Sequence, residues 1–434
     1  MPNHDYIFDC GALFGCGDSG RMCMFESQAV HAAVPSRVRD RLSHLEAFDR
    51  EAIEPYLESY RQTRRRLLGL GGILGVLAVV KPAKLLAAGR RLAGGHVVAA
   101  LPAGEREHVV ESLPETVRLG VLDATLPNIL EVEPGDVIIY PNTWSHFLNR
   151  LQPGVSLQQL AQWRRDNPGR GPHSIIGPVG VKGAQRGDMV SIRFVTLAPQ
   201  NWGANFNNPG DLRTGALWGE FPDGQVRYLA IDAEQRQAKF APSIELPIGP
   251  FQGTFGVAAP EDREVVGHLA AGVVSSVPPG QHAGNLDLRE LTEGSTLYIP
   301  VWQTGAKLFT GDSHALQGDG EVNLTALETA MREVRVQVGL HEQPGWEWPF
   351  AETPDHWIAM GMHRDLSEAF KIALRNTLDF LGRKAGLSRL DAYALASLAV
   401  HFRITQVVDI TQGVHAMIPK NIFAPPLRAT ISIA

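Results

Sequence analysis

Cysteine is scarce in this sequence, and all of it lies near the start. The only three cysteines, Cys10, Cys16 and Cys23, precede residue 24 of a 434-residue chain. The rest of the chain can therefore form no disulfide bond and offers no cysteine nucleophile. The three cysteines also lack the CxxC spacing of a structural zinc site, which argues against a thiolate metal centre.

A basic stripe and a long hydrophobic run are missing as well. The formal net charge is −6, and we interpret Arg164, Arg165 and Arg170 as parts of a solvated loop, so no nucleic-acid partner is expected. The most apolar stretch, Leu67 to Val80, has 14 residues, against the ~20 that a membrane-spanning helix needs. We therefore expect no stable membrane span in the mature protein.

That apolar stretch has the layout of an export signal. Arg64 to Arg66 precede it, and small residues follow at 87–89. Paired arginines before a weakly hydrophobic core are typical of a twin-arginine signal, which predicts a periplasmic or exported protein, or a cytoplasmic one if the signal is not used. We predict a signal segment at 61–90, the main domain at 91–434, and an extension at 1–60 that is disordered or follows a mis-assigned start.

Glycine and proline are plentiful, at 44 and 29 residues, and they punctuate a strand-rich pattern. Apolar and polar residues alternate after turns at 133–136, 185–188 and 294–295, and again along 332–340. This period of two predicts β-strands. The spacing of the turns is too irregular for a solenoid.

The pattern becomes helical late in the chain. Asp365 is placed to begin a helix that Gly386 ends, and Ser388 is placed to begin a second helix over 389–402; both starts match helix-capping sequences. A strand at 404–410 follows. The predicted fold class is therefore mixed α/β and mostly β: an antiparallel two-layer β assembly with packed helices.

Polar side chains gather on two glycine-rich segments, VPPGQHAGNLDLREL at 277–291 and LFTGDSHALQGDGEV at 308–322. If the strand between them brings the segments together, Asp287, Asp312 and His314 converge. Carboxylates with an imidazole suit zinc or a similar ion with one open position, whereas oxygen ligands from Asp319, Glu321 and backbone carbonyls suit calcium. The alternative is a pair of turns whose side chains bond only to nearby backbone N–H groups.

A serine nucleophile is a lesser alternative within the same segment. Residues 311–315 resemble a degraded nucleophile elbow around Ser313, and Asp409 and His415 follow in Ser–Asp–His order. That motif needs a helix directly after the serine, and the glycine-rich residues there predict none.

The remaining histidines receive simpler interpretations. His146, His356, His363 and His401 are interpreted as structural or surface residues. His173 precedes a predicted strand in a loop, where side chains more often serve function, so its role is left open.

Four segments in this order resemble the acetamidase/formamidase family: GPHSIIGPVGVKGAQRGDMVSIRF, LPIGPFQGTFGVAAP, the stretch from PPGQHAGNLDLREL to LFTGDSHALQGDGEV, and AYALASLAVHFRITQVVDITQGVHAMIPK. The resemblance covers roughly residues 115–425. It implies an amidohydrolase of short linear amides with αββα layering, a divalent ion such as zinc or calcium, and a homodimer or larger homo-oligomer. Departures at 282–283, 401–402 and 164–170 predict a substrate other than formamide or acetamide.

By motif position the resemblance points to six residues: Asn285, Asp287, Asp312, His314, Gln317 and Glu321. We assign Asp287, Asp312 and His314 to the ion, with His314 also counted as catalytic, and Glu321 to proton transfer. Asn285 and Gln317 are assigned to the oxyanion. The alternative from another class is a non-catalytic periplasmic β-domain that binds a metal or small ligand.

Overall fold

The structure is a computed structural model, and it describes residues 106–208 and 210–434. The extension at 1–60, the signal segment at 61–90 and the three cysteines lie outside the described residues, so those interpretations stay predictions. None of the helices among the described residues has the length and apolar character that a membrane crossing demands.

Short strands make up most of the described chain. The first twelve are β1 (Glu107–Val109), β2 (Val117–Leu119), β3 (Val121–Asp123), β4 (Leu130–Val132), β5 (Val137–Pro141), β6 (Ser174–Val181), β7 (Met189–Pro199), β8 (Trp202–Asn207), β9 (Gln225–Asp232), β10 (Gln237–Ala241), β11 (Ile244–Pro247) and β12 (Phe251–Gly256). The next eleven are β13 (His268–Ala270), β14 (Val273–Ser275), β15 (Ala283–Asn285), β16 (Thr296–Pro300), β17 (Leu308–His314), β18 (Glu328–Thr329), β19 (Met331–His341), β20 (Phe350–Glu352), β21 (His356–His363), β22 (His401–Gln406) and β23 (Gln412–Pro419).

Helices are few. They are α1 (Leu157–Arg165), α2 (Leu366–Ala385), α3 (Arg389–Ala399) and α4 (Pro425–Arg428), and 3-10 turns occupy Gly210–Leu212 and Lys420–Ile422. One further turn, His146–Asn149, is left-handed at its centre, with φ/ψ of 56°/45° at Phe147 and 56°/53° at Leu148.

The strands form two large sheets and one small sheet. The first has nine strands in the order β1-β5-β19-β7-β16-β20-β21-β23-β22. The second has eleven, in the order β11-β10-β9-β8-β18-β17-β12-β15, with β6 joined to β17, β2 and β4. Strands β13, β14 and β3 form the third. Neighbouring strands are antiparallel apart from the β1–β5 and β4–β6 pairs, which confirms the predicted mostly β, antiparallel class.

The two large sheets share a core. Phe194 of β7, in the first sheet, meets Phe255 of β12, in the second, edge to face with ring centroids 6.0 Å apart. Aliphatic side chains from both sheets are fully buried in the same cluster, among them Ile192 and Val179. Burying this apolar surface is the main favourable contribution to folding.

Helices cover both sheets on the sides away from the shared core. Helix α2 lies on β21 and β23, and Gly361 of β21 allows a close approach: a Cβ there would lie 2.3 Å from the carbonyl oxygen of Ala369. Helix α1 packs through Leu160 in one cluster with Phe206 of β8. The layering is helix, sheet, sheet, helix, as the family resemblance implies.

Most sequence signals for individual elements agree with the structure. The turns at 133–136, 185–188 and 294–295 precede β5, β7 and β16, and β19 contains 332–340. Asp365 accepts a hydrogen bond from the backbone N–H of Glu368 at the start of α2, and Gly386 ends that helix with a φ of 70°.

Three local predictions were wrong. The strand predicted at 404–410 lies at His401–Gln406 instead. The helix predicted over 389–402 ends at Ala399, because Val400 is extended and Phe402 packs on Phe370 with ring centroids 4.9 Å apart. The loop predicted around Arg164 and Arg165 is instead the last turn of α1, whose start is fixed by a capping box that the sequence reading overlooked.

Candidate active site

The segment 308–322, predicted as a loop, is a strand as far as His314. Strand β17 pairs with β12 along one edge and with β6 and β18 along the other. Gly311 makes this possible, because a Cβ there would lie 2.4 Å from the carbonyl oxygen of Ser174 on β6. A glycine inside a strand often marks such a close approach of two backbones.

The structure brings Asp287, Asp312 and His314 together. The Nε2 atom of His314 lies 3.1 Å from Oδ1 of Asp312, and its Nδ1 lies 3.8 Å from Oδ1 of Asp287. Asp287 follows β15, so the three side chains come from the strands on either side of β12. They meet above Gly253 of β12, where an added Cβ would lie 2.5 Å from Oδ1 of Asp287 and 2.6 Å from both Oδ2 of Asp312 and Cε1 of His314.

The backbone is left-handed at each of the three acidic residues assigned from the sequence. Their φ angles are 51° at Asp287, 60° at Asp312 and 46° at Glu321. Residues with a Cβ rarely adopt this region, and each costs about 1–3 kcal/mol unless the surroundings impose it. Directing these three carboxylates into one cavity therefore lowers the stability of the folded protein.

The cavity is small and strongly acidic. Its charged or titratable lining side chains are His146, Arg164, His173, Asp287, Asp312, His314, Glu321, Glu328 and Asp409. It gives the centres of water-sized molecules about 40 Å³ of space, against the ~10–15 Å³ that one water molecule needs. It therefore has room for a molecule of a few heavy atoms.

His146 was interpreted as a structural or surface residue, but it is buried and lines the cavity. Its Nε2 donates to Oδ1 of Asp312 at 2.8 Å and lies 3.2 Å from Oε2 of Glu328. The left-handed turn at 146–149 aims the ring inward, and no sequence signal announces that turn. His173 also reaches the cavity, with Nε2 3.7 Å from Oδ2 of Asp312, whereas His356, His363 and His401 do not line it.

Glu328 and Asp409 are cavity residues that the sequence reading did not assign to an ion site. Glu328 lies on β18, beside β17, and its Oε2 is 3.1 Å from Nε2 of His314. Asp409 comes from the turn after β22, and its Oδ2 accepts from Nδ2 of Asn285 at 3.3 Å. Neither residue stands in a glycine-rich polar cluster, so only the sheet order reveals them.

The two amide side chains have different surroundings. Nδ2 of Asn285 donates to Oδ2 of Asp287 at 2.8 Å, and Oδ1 accepts from Thr254 at 2.6 Å. Gln317 does not line the cavity; its Nε2 donates to the backbone oxygen of Asp287 at 2.9 Å. The oxyanion role predicted for Gln317 therefore has no geometric support, and Gln317 positions Asp287 instead.

The serine alternative is wrong. Ser313 points away from the cavity, where its Oγ bonds to Gln252 at 3.0 Å and meets Thr143 at 3.2 Å. His415 bonds through Nδ1 to Thr405. Among the described residues, no imidazole lies within hydrogen-bond distance of Oγ of Ser313, so no triad is assembled.

Three carboxyl groups of the cavity resist ionisation. Burial, and then the negative charge of Asp312, raise the pKa of Asp287 to about 7. Burial, and then repulsion from Asp287 and Asp409, raise the pKa of Glu321 well above its usual range. Burial and Asp287 do the same to the pKa of Asp409. Crowded carboxylates in a dry site favour the neutral form unless a cation joins them.

Asp312 behaves in the opposite way. Burial would raise its pKa, but the imidazoles of His173, His314 and His146 outweigh burial and hold that pKa well below its usual range. Burial lowers the pKa of His173 to about 3, so this ring stays neutral. The positive charge beside Asp312 therefore lies on His314 and His146. Burial would lower the pKa of both rings, but Glu328 and Asp312 raise it, and they raise it well above normal in His314.

This donor set fits a divalent cation. Oδ1 of Asp287, Nδ1 of His314 and Oε2 of Glu321 are buried without a hydrogen-bond partner among the described residues. Ligand atoms of Asp287, Asp312 and His314 lie within 4.8 Å of one another, as do those of Asp287, Glu321 and Asp409. The first group suits zinc and the second, with oxygen alone, suits calcium.

The protein is thus mostly β, with two large sheets and a buried cavity lined by carboxylates and imidazoles. A model of the Acetamidase/Formamidase family matches residues 262–344, which include Asn285, Asp287, Asp312, His314, Gln317 and Glu321. The chain is 25% identical over 319 residues to a formamidase of Methylophilus methylotrophus, covering 59% of this chain and 78% of that protein. It is 26% identical over 293 residues to an acetamidase of Mycolicibacterium smegmatis, covering 51% and 72%.

Solved structures agree with these matches. The acetamidase of Yersinia enterocolitica superposes with a TM-score of 0.65 at 26% identity, over 74% of this chain and 94% of that one. The acetamidase of Bacillus halodurans gives a TM-score of 0.63 at 25% identity, over 73% and 98%. The chain is therefore similar to the acetamidase/formamidase family in sequence and in fold.

Proposed function

We propose that this protein is an amidohydrolase that cleaves the C–N bond of short linear amides with the help of a divalent ion, zinc or calcium. The reaction converts an amide and water into a carboxylate and ammonia. The observation that carries the proposal is the convergence of Asp287, Asp312, His314 and Glu321 in one small buried cavity, where all but Asp312 have a ligand atom without a partner. The names of the related formamidase and acetamidase support the choice of an amide.

Asp287, Asp312 and His314 would hold the ion. Such an ion, when bound, makes water a stronger acid and polarises a carbonyl group. Asp312 is kept ionised and oriented by His146. Asn285 fixes the carboxylate of Asp287 through the 2.8 Å hydrogen bond to its Oδ2. These contacts hold the ligands in place before a substrate arrives, so that little reorganisation is needed during the reaction.

Glu321 supplies the proton transfer. Its pKa is raised well above the usual range by burial and by neighbouring carboxylates. A carboxyl group with a pKa nearer to neutrality can both accept a proton from water and deliver it to the departing nitrogen. Apolar side chains of the cavity wall, among them Phe147, Phe206 and Leu324, exclude bulk water around that exchange.

Ammonia release from formamide, acetamide and propionamide by the full chain tests the function. We expect release that a chelator abolishes and that zinc or calcium restores, which also identifies the ion. Absence of release from every amide, with ions still bound in a fixed ratio, would support the non-catalytic binding domain instead. Release that persists after complete removal of ions would contradict the metal-dependent mechanism.

The stability of the ion-free protein should depend on pH. The pKa of Asp287 is about 7 in the folded protein, against about 3.9 in an unfolded chain. A carboxyl group with a raised folded pKa stabilises the protein below about pH 4, and this stability is lost as the pH rises towards 7. Without an ion, the protein should therefore melt at a lower temperature at pH 8 than at pH 6.

An added ion competes with the protons of this cluster. Below pH 7 each proton that it must displace weakens its apparent affinity about tenfold per pH unit. The rise in melting temperature on adding zinc or calcium should then be larger at pH 8 than at pH 6. An equal rise at both values, measured by calorimetry, would show that Asp287 is not a ligand.

Export through the segment at 61–90 and assembly into a homodimer or larger homo-oligomer are also part of this proposal. The first is supported by the arginine-rich sequence pattern, and the second by the family resemblance.

A further inference from the structure

We propose that Arg164 binds a carboxylate group of the substrate, so that the preferred substrates are short amides bearing a carboxylate at the end opposite the amide. This inference rests on the proposed amidase function and names the substrate class of the same cavity. It concerns a residue that sequence analysis assigned to a solvated loop.

Helix α1 places Arg164 in the cavity wall. The helix starts at a capping box in which Ser156 and Gln159 satisfy each other's backbone N–H groups. Leu160 is fully buried against the second sheet. Residues four apart lie on the same face of a helix, so Arg164 faces inward and lines the cavity. Arg165, the next residue, is exposed and pairs with Asp211 at 2.9 Å.

The guanidinium group of Arg164 makes few hydrogen bonds to the protein. One N–H donates to the backbone oxygen of Arg170 at 2.5 Å. Among the described residues, no carboxylate oxygen approaches it to the 4.0 Å of an ion pair, whereas Asp312 lies 2.8 Å from His146 and 3.1 Å from His314. A guanidinium carries five N–H donors, so most of its binding capacity remains for a ligand.

The charge of Asp409 acts on Arg164, and it does so without a direct contact. Asp409 also accepts a hydrogen bond from Asn285, towards the ion cluster. Asp409 is therefore engaged on the side of the ion cluster and makes no ion pair with Arg164, so a carboxylate from outside can bind there.

The acidic residues and Arg164 lie at different depths in the cavity. Asp287, Asp312 and Glu321 lie deep in the protein and are almost fully buried, whereas Arg164 is only partly buried and so lies nearer the solvent. A planar guanidinium matches a carboxylate through two parallel hydrogen bonds. A substrate with an amide at the ion cluster and a carboxylate at Arg164 would be held in one orientation.

The size of the cavity limits the length of that substrate. The space for the centres of water-sized molecules is only about 40 Å³, so the cavity admits only a small ligand. The carbon chain between the amide and the carboxylate is therefore short. Monoamides of small dicarboxylic acids have this form.

Matched pairs of amides test the inference. Butyramide and succinamate have the same chain length and differ by a methyl group in place of a carboxylate, and propionamide and malonamate form a shorter pair. For the wild-type protein we expect kcat/KM to favour the carboxylated partner by about tenfold or more. Arg164→Met should reduce that ratio by about 10- to 100-fold, chiefly through KM for the carboxylated amide.

Arg165→Met is the matched control, because it removes the same charge from the next residue of α1 without touching the cavity. It should leave the ratio unchanged. The inference is overturned if the wild-type protein shows no preference for the carboxylated amides, or if both variants change the ratio equally. Arg164→Lys keeps the charge without the planar fork, and it should give an intermediate ratio if Arg164→Met does not fold.

Binding of malonate, measured by calorimetry on the full chain loaded with zinc, separates this inference from the proposed function. We expect Arg164→Met to weaken malonate binding about 10- to 100-fold and Arg165→Met to leave it unchanged. If neutral amides are hydrolysed but malonate binds both variants and the wild type equally, the amidase proposal stands and the role of Arg164 fails. If no amide is hydrolysed but malonate binding depends on Arg164, the amidase proposal fails and carboxylate binding by Arg164 stands.

Discussion

Replacing Glu321 by glutamine should lower kcat for amide hydrolysis by a factor of about 10²–10⁴, which is the range that a positioned acid–base group contributes. Glutamine has the same shape but cannot accept a proton from water or release one to the departing nitrogen. The quantity to measure is the initial rate of ammonia release at a saturating concentration of amide. Near-normal turnover in this variant would remove Glu321 from the proton-transfer role.

The same variant carries its own test of folding. Glu321 is buried among carboxylates that raise its pKa, so removing its charge should leave the melting temperature in chelator unchanged or higher. Asp319→Asn is the matched control in the same loop. Asp319 lies outside the cavity lining, near Arg403 at 4.0 Å, and its loss should leave turnover unaffected.

The second large effect should come from a single methyl group. Gly253→Ala would place a Cβ 2.5–2.6 Å from atoms of Asp287, Asp312 and His314, closer than van der Waals contact allows, so all three side chains must move apart. Displacing ligands in this way should weaken binding of the ion by about 100-fold or more and abolish amide hydrolysis. The ion content after dialysis against zinc, measured by atomic emission, gives the result directly.

Gly249→Ala separates this effect from a general loss of folding. Gly249 lies just before the same strand, β12, and a Cβ there would meet only Cγ2 of Thr292, at an ordinary 3.6 Å. Asp287→Asn offers a second approach, since asparagine tolerates the left-handed φ of that position but lacks the charge. An unchanged ion content in both Gly253→Ala and Asp287→Asn would show that the ion is held elsewhere.

Sequence patterns predicted the fold class because strands, turns and helix starts are determined by residues close together in the chain. The period-two strands, the turn after Glu133 and the caps at Asp365 and Ser388 each depend on residues within a few positions of one another. The two glycine-rich polar segments were also visible, since acids and a histidine on such segments are unusual. The structure brings Asp287, Asp312 and His314 of these segments close together, and their roles stay predictions.

The parts that the sequence could not show depend on which strands become neighbours. Glu328 reaches the cavity only because β18 pairs with β17, and His146 only because three residues beside it are left-handed. Arg164 was misread because its basic neighbours suggested a solvated run, although the capping box at Ser156 could have identified a helix with one inward face. Contacts between residues more than 100 positions apart leave no periodic signal.

Strand β17 has a consequence for how this cavity can be altered. With neighbours along both edges, it should exchange its amide protons for deuterium among the slowest of the chain, whereas α1 has one buried apolar residue and should open earlier. The hydrolytic residues and Arg164 therefore stand on parts of the fold with unequal rigidity. Laboratory selection for new amides can vary residues 157–165 and leave the ion cluster undisturbed.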